Sequence, residues 1–319
     1  MGIRITGLGK AVPEKVLTND EMSQMVDTSH EWIQSRTGIE RRHIAITETT
    51  EFLATSAAKE ALEEAKLSAE EVDLVIVATV SPDTAMPSTA CLVAKNIGAF
   101  QATCFDITAA CSGFIMASEV ALSMIHAGQY QNALVIGAEV LSKSLDWEDR
   151  GTCILFADGA GAILYQKDDK NQVLAIETGS DPRGAEKITL PVCSGNHTFY
   201  EVPDKKQVIQ MEGKGVYAFA TSKVPESIKA VLEKEKISPT DIKWYILHQA
   251  NSRIMDSVAQ KLGVPKTSFF KNLSEYGNTS AASIPMALYD AKGLLKAGDL
   301  IILSGFGAGL TWGTMLLKW

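Results

Sequence analysis

Residues 105–114 read Phe105-Asp-Ile-Thr-Ala-Ala-Cys-Ser-Gly-Phe114, and they place one cysteine where a short apolar strand meets an almost wholly apolar helix. The N-terminus of a helix presents unpaired N–H groups and the positive end of the helix dipole, which stabilise a thiolate. We therefore expect Cys111 to ionise well below the pKa of roughly 8.5 of a free thiol. Cys111 could be a nucleophile or a small buried core residue, and this stretch alone does not distinguish between the two interpretations.

The composition is that of a compact globular protein. Of the 319 residues, 46% are hydrophobic and 21% are charged, which suffices for one large core or two fused ones. The net charge of −8 disfavours nucleic-acid binding, because that requires a concentrated positive surface, so any anionic partner must meet a local basic patch. The opening lacks a signal-peptide pattern and no run approaches the ~18 to 20 apolar residues of a membrane span, which predicts a cytoplasmic protein with no membrane partner.

The cysteines argue against a disulfide framework and against a metal site. They are five in number, lack metal-ligand spacing and lie mostly in apolar runs, at Cys91, Cys104, Cys111, Cys153 and Cys193. An odd number of cysteines without the spacing of a disulfide or metal-binding motif is typical of free thiols in a reducing compartment. We expect no bound metal.

The order of predicted elements repeats along the chain. Short apolar runs alternate with helical stretches, as in α/β proteins whose sheets are covered by helices. Segments around positions 75, 98 and 133 match segments around positions 245, 263 and 300, at offsets of 165 to 170 residues. We predict two related halves, residues 1–170 and residues 171–319.

Two apolar helices belong to this repeat. Residues 113–126 are apolar on nearly every side, and residues 279–296 are similarly apolar over their first turns. Helices of this type are buried. Packed back to back between two sheets, they would form a five-layered core in which both strand-to-helix junctions meet at one site, close to Cys111.

The repeat brings three chemically useful side chains to that site. Cys111 is the candidate nucleophile, His248 follows the strand at 244–247, and Asn278 precedes the second apolar helix. A thiolate attacks a thioester readily and yields an acyl-enzyme, while His and Asn can donate two N–H groups to one carbonyl oxygen and so stabilise an enolate. The backbone N–H groups of Cys111 and of Ala308, in the glycine-rich turn 305–309, are the expected oxyanion donors. Taken singly, His248 also fits a structural hydrogen-bonding role and Asn278 an ordinary turn residue.

These motifs closely resemble β-ketoacyl-acyl-carrier-protein synthase III, a family of the thiolase superfamily, over essentially the whole chain. The matching segments are Ala109-Ala-Cys-Ser-Gly113, His248-Gln-Ala-Asn251, Tyr276-Gly-Asn-Thr-Ser-Ala-Ala-Ser283, Ser35-Arg-Thr-Gly-Ile39, Asp149-Arg-Gly151 and Phe156-Ala-Asp-Gly-Ala-Gly161. The resemblance implies a thiolase-like α/β fold of two duplicated βαβαβαββ halves packed as α-β-α-β-α layers. It also implies a Cys-His-Asn set, Cys111, His248 and Asn278, which separates the family from relatives with Cys-His-His.

By this resemblance the enzyme would transfer a short acyl group from acyl-CoA to Cys111 and condense it with malonyl-acyl-carrier protein. The reaction would release CO2 and start fatty-acid biosynthesis, with acyl-CoA as a substrate and no cofactor. The resemblance further implies a homodimer in which Met86 of one protomer closes the acyl pocket of the other. Met is flexible and fills space adaptably, so we expect the pocket to accept branched or slightly longer primers as well as acetyl, although simple interface packing also fits Met86.

The resemblance also assigns two peripheral sets of residues. The CoA adenine and phosphates would be held by Thr28, Trp32, Arg36 and Arg150. An indole can stack on adenine and a guanidinium can bind phosphate in a bidentate manner. The acidic carrier protein would contact Gln249, Arg253, Lys214 and Lys261. Ala218 stands where the family tends to carry a basic residue, so this patch is expected to be weaker or shifted.

Three alternatives remain open from the sequence. A starter enzyme for a polyketide or secondary metabolite would carry the same triad with another primer or acceptor. A cysteine hydrolase or transacylase would use Cys111 and His248 without forming a carbon–carbon bond, but it has no need of the second donor at Asn278. A non-catalytic dimeric scaffold would make all three residues accidental.

Overall fold

The computed structural model describes residues 2–191 and 207–319, and Cys193 lies outside these ranges. The strands of the described residues are β1 Gly2–Ala11, β2 Val16–Thr18, β3 Arg41–His43, β4 Leu74–Ala78, β5 Thr103–Ile107, β6 Asn132–Val140, β7 Asp158–Asp168, β8 Val173–Ser180, β9 Ile188–Thr189, β10 Gln210–Met211, β11 Ile242–Leu247, β12 Leu300–Gly307 and β13 Thr311–Lys318. The helices are α1 Asn19–Met22, α2 His30–Thr37, α3 Thr50–Ala65, α4 Thr89–Ile97, α5 Gly113–His126, α6 Arg150–Cys153, α7 Gly213–Glu235, α8 Ser252–Leu262, α9 Leu273–Tyr276 and α10 Ser283–Ala291.

The first large sheet has the strand order β1-β7-β6-β4-β5. Its centre is parallel, with β4 paired to both β5 and β6, while β7 runs antiparallel to β6 and β1. Every residue of β4 is buried, because helices cover both faces of the sheet.

The second large sheet repeats this plan with the order β11-β12-β13-β8. The parallel pair β11 and β12 corresponds to β4 and β6, and β13 and β8 correspond to β7 and β1. The counterpart of β5, ahead of Gly277, is not formed as a strand. It is reduced to a single bridge between Tyr245 and Phe269, because the chain turns into a short helical turn and loop on either side of this pair.

The molecule is built from five layers, as expected from the repeat. Helices α5 and α10 lie between the two sheets and share one core with the inner faces of both, to which Phe114 and Ile284 contribute. Helices α3 and α4 cover the outer face of the first sheet. Helices α7 and α8 cover the outer face of the second. This arrangement confirms the predicted thiolase-like fold class.

The two central helices begin in the same manner. Helix α5 has the predicted bounds and is preceded by a 3-10 turn at Ala110–Ser112. Helix α10 is shorter than the predicted span 279–296, because it begins after a 3-10 turn at Ser280–Ala282 and gives way to another at Lys292–Leu294. We call the turns at 110–112 and 280–282 the first and second elbows.

The two sheets divide the chain near its middle. The last strand of the first sheet, β7, ends at Asp168, and the first strand of the second sheet, β8, begins at Val173. The predicted boundary at residue 170 falls in this connection. Within the described ranges, no helix combines the length and apolar character needed to cross a membrane.

The second elbow packs directly against β6 of the first sheet. A Cβ atom added to Gly137 would lie 2.2 Å from the carbonyl oxygen of Ala281. Backbone atoms this close cannot be displaced by a side-chain rotation. Glycine at position 137 is therefore what allows the two halves to approach at this point.

We predict that Gly137→Ala forces the second elbow away from β6 and lowers the thermal unfolding midpoint by about 2 to 5 °C, the expected cost of overpacking a rigid contact in a chain of this length. Gly293→Ala is the matched control, since a Cβ there meets no atom within 4 Å. Differential scanning calorimetry of both variants checks this, and an unchanged midpoint for Gly137→Ala would contradict the contact.

Candidate active site

One large cavity of about 1150 Å³ lies where the two elbows meet. Its walls include Cys111 from the first half and His248 and Asn278 from the second. The structure therefore brings together the three side chains predicted from the sequence. They come from three separate elements, each at the end of a strand or the start of a helix.

Cys111 sits in the first elbow, between β5 and α5. The preceding residue, Ala110, has a left-handed backbone with φ of 47°, which turns the chain sharply before the helix. Such a conformation is costly for a residue with a Cβ atom and recurs at functional sites. The turn places the thiol of Cys111 in the wall of the cavity, where the residue is half-buried.

The expectation that Cys111 is a thiolate in the resting protein is wrong. Burial raises the pKa of the Cys111 thiol to about 12, and the nearby Glu139 carboxylate raises it further through like-charge repulsion. The Ser280 hydroxyl has the next largest effect after burial and lowers the pKa, and the cysteine's own N–H lowers it by less. The helix N-terminus can be recognised in the sequence, but the loss of water around the sulfur has the larger effect on the pKa of the thiol.

His248 directly follows β11 and is 2% exposed. Burial lowers the pKa of the imidazole to about 3, so the ring is neutral at physiological pH. Its Nδ1 lies 2.6 Å from the Ser283 hydroxyl, which also accepts the Gln249 N–H. We assign the hydroxyl as the donor to Nδ1, which leaves the ring proton on Nε2.

Asn278 is held on both sides. Its backbone N–H donates to the carbonyl of Leu155 and its carbonyl accepts from the N–H of Ala157, both at 2.9 Å. Its side-chain oxygen accepts the Ser280 N–H at 2.9 Å. Because the oxygen is occupied in this way, the amide NH2 is the end left to donate within the cavity.

The glycine-rich turn after β12 lies against the first elbow. A Cβ atom on Gly307 would lie 2.7 Å from the backbone nitrogen of Cys111, so only glycine permits this approach. Ala308 follows and lines the cavity together with Cys111.

The residues expected at a CoA site form a cluster at the wall of the same cavity. Trp32 is 37% exposed, so it is not a core residue, and the guanidinium of Arg150 lies 4.8 Å from the centre of its rings. Arg36 lies 5.9 Å from them. All three line the cavity, whereas Thr28 does not, although its hydroxyl oxygen is buried and has no hydrogen-bond partner in the described residues.

The expectation that Gln249 contacts a carrier protein is wrong. The residue is 1% exposed, and its side chain donates to the carbonyl of Leu247 at 2.7 Å and accepts the Asn272 N–H at 3.1 Å. Its amide supports the loop around His248 from inside the protein.

The three basic residues predicted at a carrier-protein surface are exposed. Arg253 begins α8 and donates from Nε to the carbonyl of Ser35, on the helix that carries Trp32. Lys261 lies at the other end of α8 and its ammonium donates to the carbonyl of Thr221. Lys214 lies in the first turn of α7.

Met86 lies in the connection between β4 and α4 and is 85% exposed. It does not line the cavity of its own chain. Part of the cavity wall is apolar and is formed by Val80, Leu141, Phe156, Leu190 and Ile209.

Sequence reasoning missed two residues at or beside the site, Ser280 in the cavity wall and Glu139, whose charge raises the pKa of Cys111. Ser280 has φ of 49° and occupies in the second elbow the place that Ala110 occupies in the first, so the repeat could have identified it. Glu139 is a lone acidic residue in the apolar strand β6 and is fully buried. The sequence signal that could have identified Glu139 is a charged residue within an otherwise apolar strand. Among the described residues, no group of three or more His, Cys, Asp or Glu side chains could hold a metal ion.

Comparisons with known proteins agree with this geometry. The family model 3-oxoacyl-[acyl-carrier-protein (ACP)] synthase III matches residues 105–182, and its C-terminal counterpart matches residues 232–319. A β-ketoacyl-[acyl-carrier-protein] synthase III of Clostridium acetobutylicum is 48% identical over 323 residues, covering 99% of this chain and 98% of the relative.

Solved structures give the same result. The 3-oxoacyl-[acyl-carrier-protein] synthase III of Aquifex aeolicus is 45% identical, with a TM-score of 0.94 and complete coverage of both chains. The priming β-ketosynthase of the R1128 polyketide pathway is 31% identical, with a TM-score of 0.93 over 99% of this chain and 96% of its own. Identity close to one half over nearly the whole length shows that this chain belongs to the β-ketoacyl-acyl-carrier-protein synthase III family of condensing acyltransferases.

Proposed function

We propose that Cys111 carries the acyl group in a two-step condensation. In the first step its sulfur attacks the thioester carbonyl of a short acyl-CoA, and the CoA thiolate leaves. The oxyanion of the tetrahedral intermediate accepts hydrogen bonds from the N–H groups of Cys111 and Ala308. The observation that carries the proposal is the single cavity walled by Cys111, His248 and Asn278, with Trp32 and Arg150 also in its wall.

In the second step, malonyl-acyl-carrier protein loses CO2 and forms a new carbon–carbon bond. Nε2–H of His248 and the NH2 of Asn278 donate to the thioester carbonyl oxygen and stabilise the enolate that decarboxylation produces. The enolate carbon attacks the acyl group on Cys111, which gives a 3-ketoacyl-acyl-carrier protein and starts fatty-acid biosynthesis. A neutral imidazole can fill this role, because its Nε2–H still donates a hydrogen bond.

The mouth of the cavity fits the nucleotide end of CoA. Trp32 offers a half-exposed aromatic face, and Arg36 and Arg150 place two guanidinium groups beside it. The hydroxyl of Thr28 is buried and has no hydrogen-bond partner in the described residues. It can therefore hydrogen-bond to a ligand once the residues that cover it move aside. CoA acts here as part of a substrate, and the proposed chemistry uses no cofactor.

The carrier protein fits the surface beside this mouth. Arg253 contacts the helix that bears Trp32, and Lys261 extends the positive charge along α8, with Lys214 on α7. On a chain of net charge −8, such a local group of cations steers an acidic partner.

A homodimer would complete the primer pocket. Met86 is 85% exposed on one protomer and fits the role of a flexible apolar cap on the acyl pocket of its partner. Part of the cavity wall is apolar, in keeping with a short alkyl primer.

A starter enzyme for a polyketide is the second candidate. The 31% identical priming ketosynthase of the R1128 polyketide pathway has the same fold, with a TM-score of 0.93. The 48% identity to a β-ketoacyl-[acyl-carrier-protein] synthase III favours the fatty-acid role.

We predict that the two steps separate on mutation. Cys111→Ala abolishes acyl transfer, while His248→Ala and Asn278→Ala retain measurable acylation but lose malonyl decarboxylation by about 100-fold or more. Intact-mass analysis after incubation with acyl-CoA measures the first step, and the 3-ketoacyl product formed with malonyl-acyl-carrier protein measures the second. An acyl group found on a residue other than Cys111 would overturn the mechanism.

We further predict that acetyl-CoA and isobutyryl-CoA both acylate the protein, because methionine at position 86 leaves an adaptable pocket. Met86→Phe fills that space with a rigid ring and is expected to reduce isobutyryl transfer by about tenfold, with acetyl transfer changing much less. Acylation rates with both primers test this, and a strict acetyl preference of the natural protein would contradict it.

A further inference from the structure

Two hydroxyl groups connect the two halves of the chain beside Cys111. Ser112, the residue after Cys111, is fully buried. Its Oγ lies 2.8 Å from Oγ1 of Thr311, the first residue of β13. The two residues are 199 positions apart in the chain. The first elbow is therefore linked by a direct side-chain hydrogen bond to the strand that follows the glycine-rich turn.

The same two hydroxyls contact the backbone on both sides. Thr311 Oγ1 lies 2.8 Å from the carbonyl oxygen of Ala308 and 3.3 Å from that of Ala109. Ser112 Oγ lies 2.9 Å from the same Ala109 oxygen. The shortest contacts form a chain in which the Ser112 hydroxyl donates to Thr311 and the Thr311 hydroxyl donates to Ala308. We call this pair of hydroxyls the Ser112–Thr311 bridge.

The Ser112–Thr311 bridge supports the strained turn in front of the nucleophile. The Ala109 carbonyl belongs to the peptide that leads into Ala110, whose backbone is left-handed with φ of 47°. A residue with a Cβ atom keeps this conformation only where its surroundings fix the adjoining peptides. Because both hydroxyls approach the Ala109 oxygen, the bridge fixes the peptide that enters the turn to Cys111.

The bridge also determines how the glycine-rich turn lies against Cys111. Gly307 permits the close approach of the two backbones, but contact between them does not by itself set a direction. A hydrogen bond does set a distance and a direction. Since the Thr311 hydroxyl bonds to the Ala308 carbonyl, it holds the residue whose N–H is the proposed second oxyanion donor. Cys111, Ala308 and Thr311 all line the one large cavity.

We propose that Thr311, together with Ser112, is a positioning residue that sets the spacing between the N–H groups of Cys111 and Ala308. These N–H groups stabilise the oxyanion that forms when the Cys111 sulfur attacks acyl-CoA, and a misplacement of about 1 Å in such a site costs about 100-fold in rate. Thr311 acts through the backbone and transfers no proton. This inference rests on the proposed oxyanion role of the two N–H groups.

The test compares two substitutions of Thr311. Thr311→Val keeps the branched shape but replaces the hydroxyl by a methyl group, which cannot lie 2.8 Å from a carbonyl oxygen. Thr311→Ser keeps the hydroxyl. At saturating acetyl-CoA, Thr311→Val should lower the single-turnover rate of Cys111 acylation by about tenfold or more, with little change in the half-saturating concentration. Thr311→Ser should retain at least about half of the natural rate. Intact mass against time measures both.

Alkylation of Cys111 by iodoacetamide separates positioning from general damage to the site. In this reaction the sulfur attacks a saturated carbon, so no oxyanion forms and the two N–H groups are not needed. The alkylation rate of Thr311→Val should therefore stay within about twofold of the natural rate at the same pH.

Thr314→Val is the matched control for the substitution. Thr314 lies on the same strand, is fully buried and contacts the hydroxyls of Ser227 and Ser304 at 2.8 Å, but it lies outside the walls of the described cavity. This variant should keep the natural rate of acylation.

Several results would overturn the role of the bridge. These are a natural acylation rate in Thr311→Val, a Thr311→Ser variant as slow as Thr311→Val, equal losses of acylation and alkylation, or an equal loss in Thr314→Val. If Thr311→Val does not fold, Ser112→Ala decides the question, because it removes the other hydroxyl and should also slow acylation while alkylation is retained. Peptide mapping separates the two proposals: an acyl group away from Cys111 defeats the nucleophile assignment, whereas acyl-Cys111 formed at natural rates in these variants defeats only the bridge.

Discussion

The close contact of the two elbows between the two sheets is the constraint on which the rest of the structure depends. Gly137 and Gly307 allow backbone to approach within a distance that no Cβ atom tolerates, and the central helices then bury both elbows. This burial removes water from the site, and the same loss of hydration raises the pKa of Cys111 and lowers that of His248. Burial therefore favours the neutral form of both groups.

The duplicated halves have taken different chemical roles at this contact. The first elbow carries Cys111, and the second carries Ser280 at the position that matches Ala110. His248 and Asn278, both from the second half, line the same cavity as Cys111 of the first. The proposed mechanism uses this asymmetry, since one half holds the acyl group and the other forms the carbanion.

Much of this could be predicted from the sequence, because the repeat and the motifs are local patterns. The layers, the bounds of α5 and the meeting of Cys111, His248 and Asn278 follow from spacing alone. Properties that depend on how deeply a side chain is buried could not be predicted in this way. The helix N-terminus at Cys111 is visible in the sequence, but the desolvation that outweighs it is not. Gln249 adjoins His248 in the motif, yet its side chain turns into the protein.

The protonation state of Cys111 in the resting protein tests the central claim most directly. The ultraviolet absorbance of a thiolate, taken as the difference between the natural protein and Cys111→Ala across a pH titration, measures it. Burial between the sheets predicts no thiolate signal from Cys111 at neutral pH and a rise only in strongly alkaline solution, towards a pKa of about 12. A thiolate already formed below pH 8 would contradict the account, because the helix N-terminus would then dominate over desolvation.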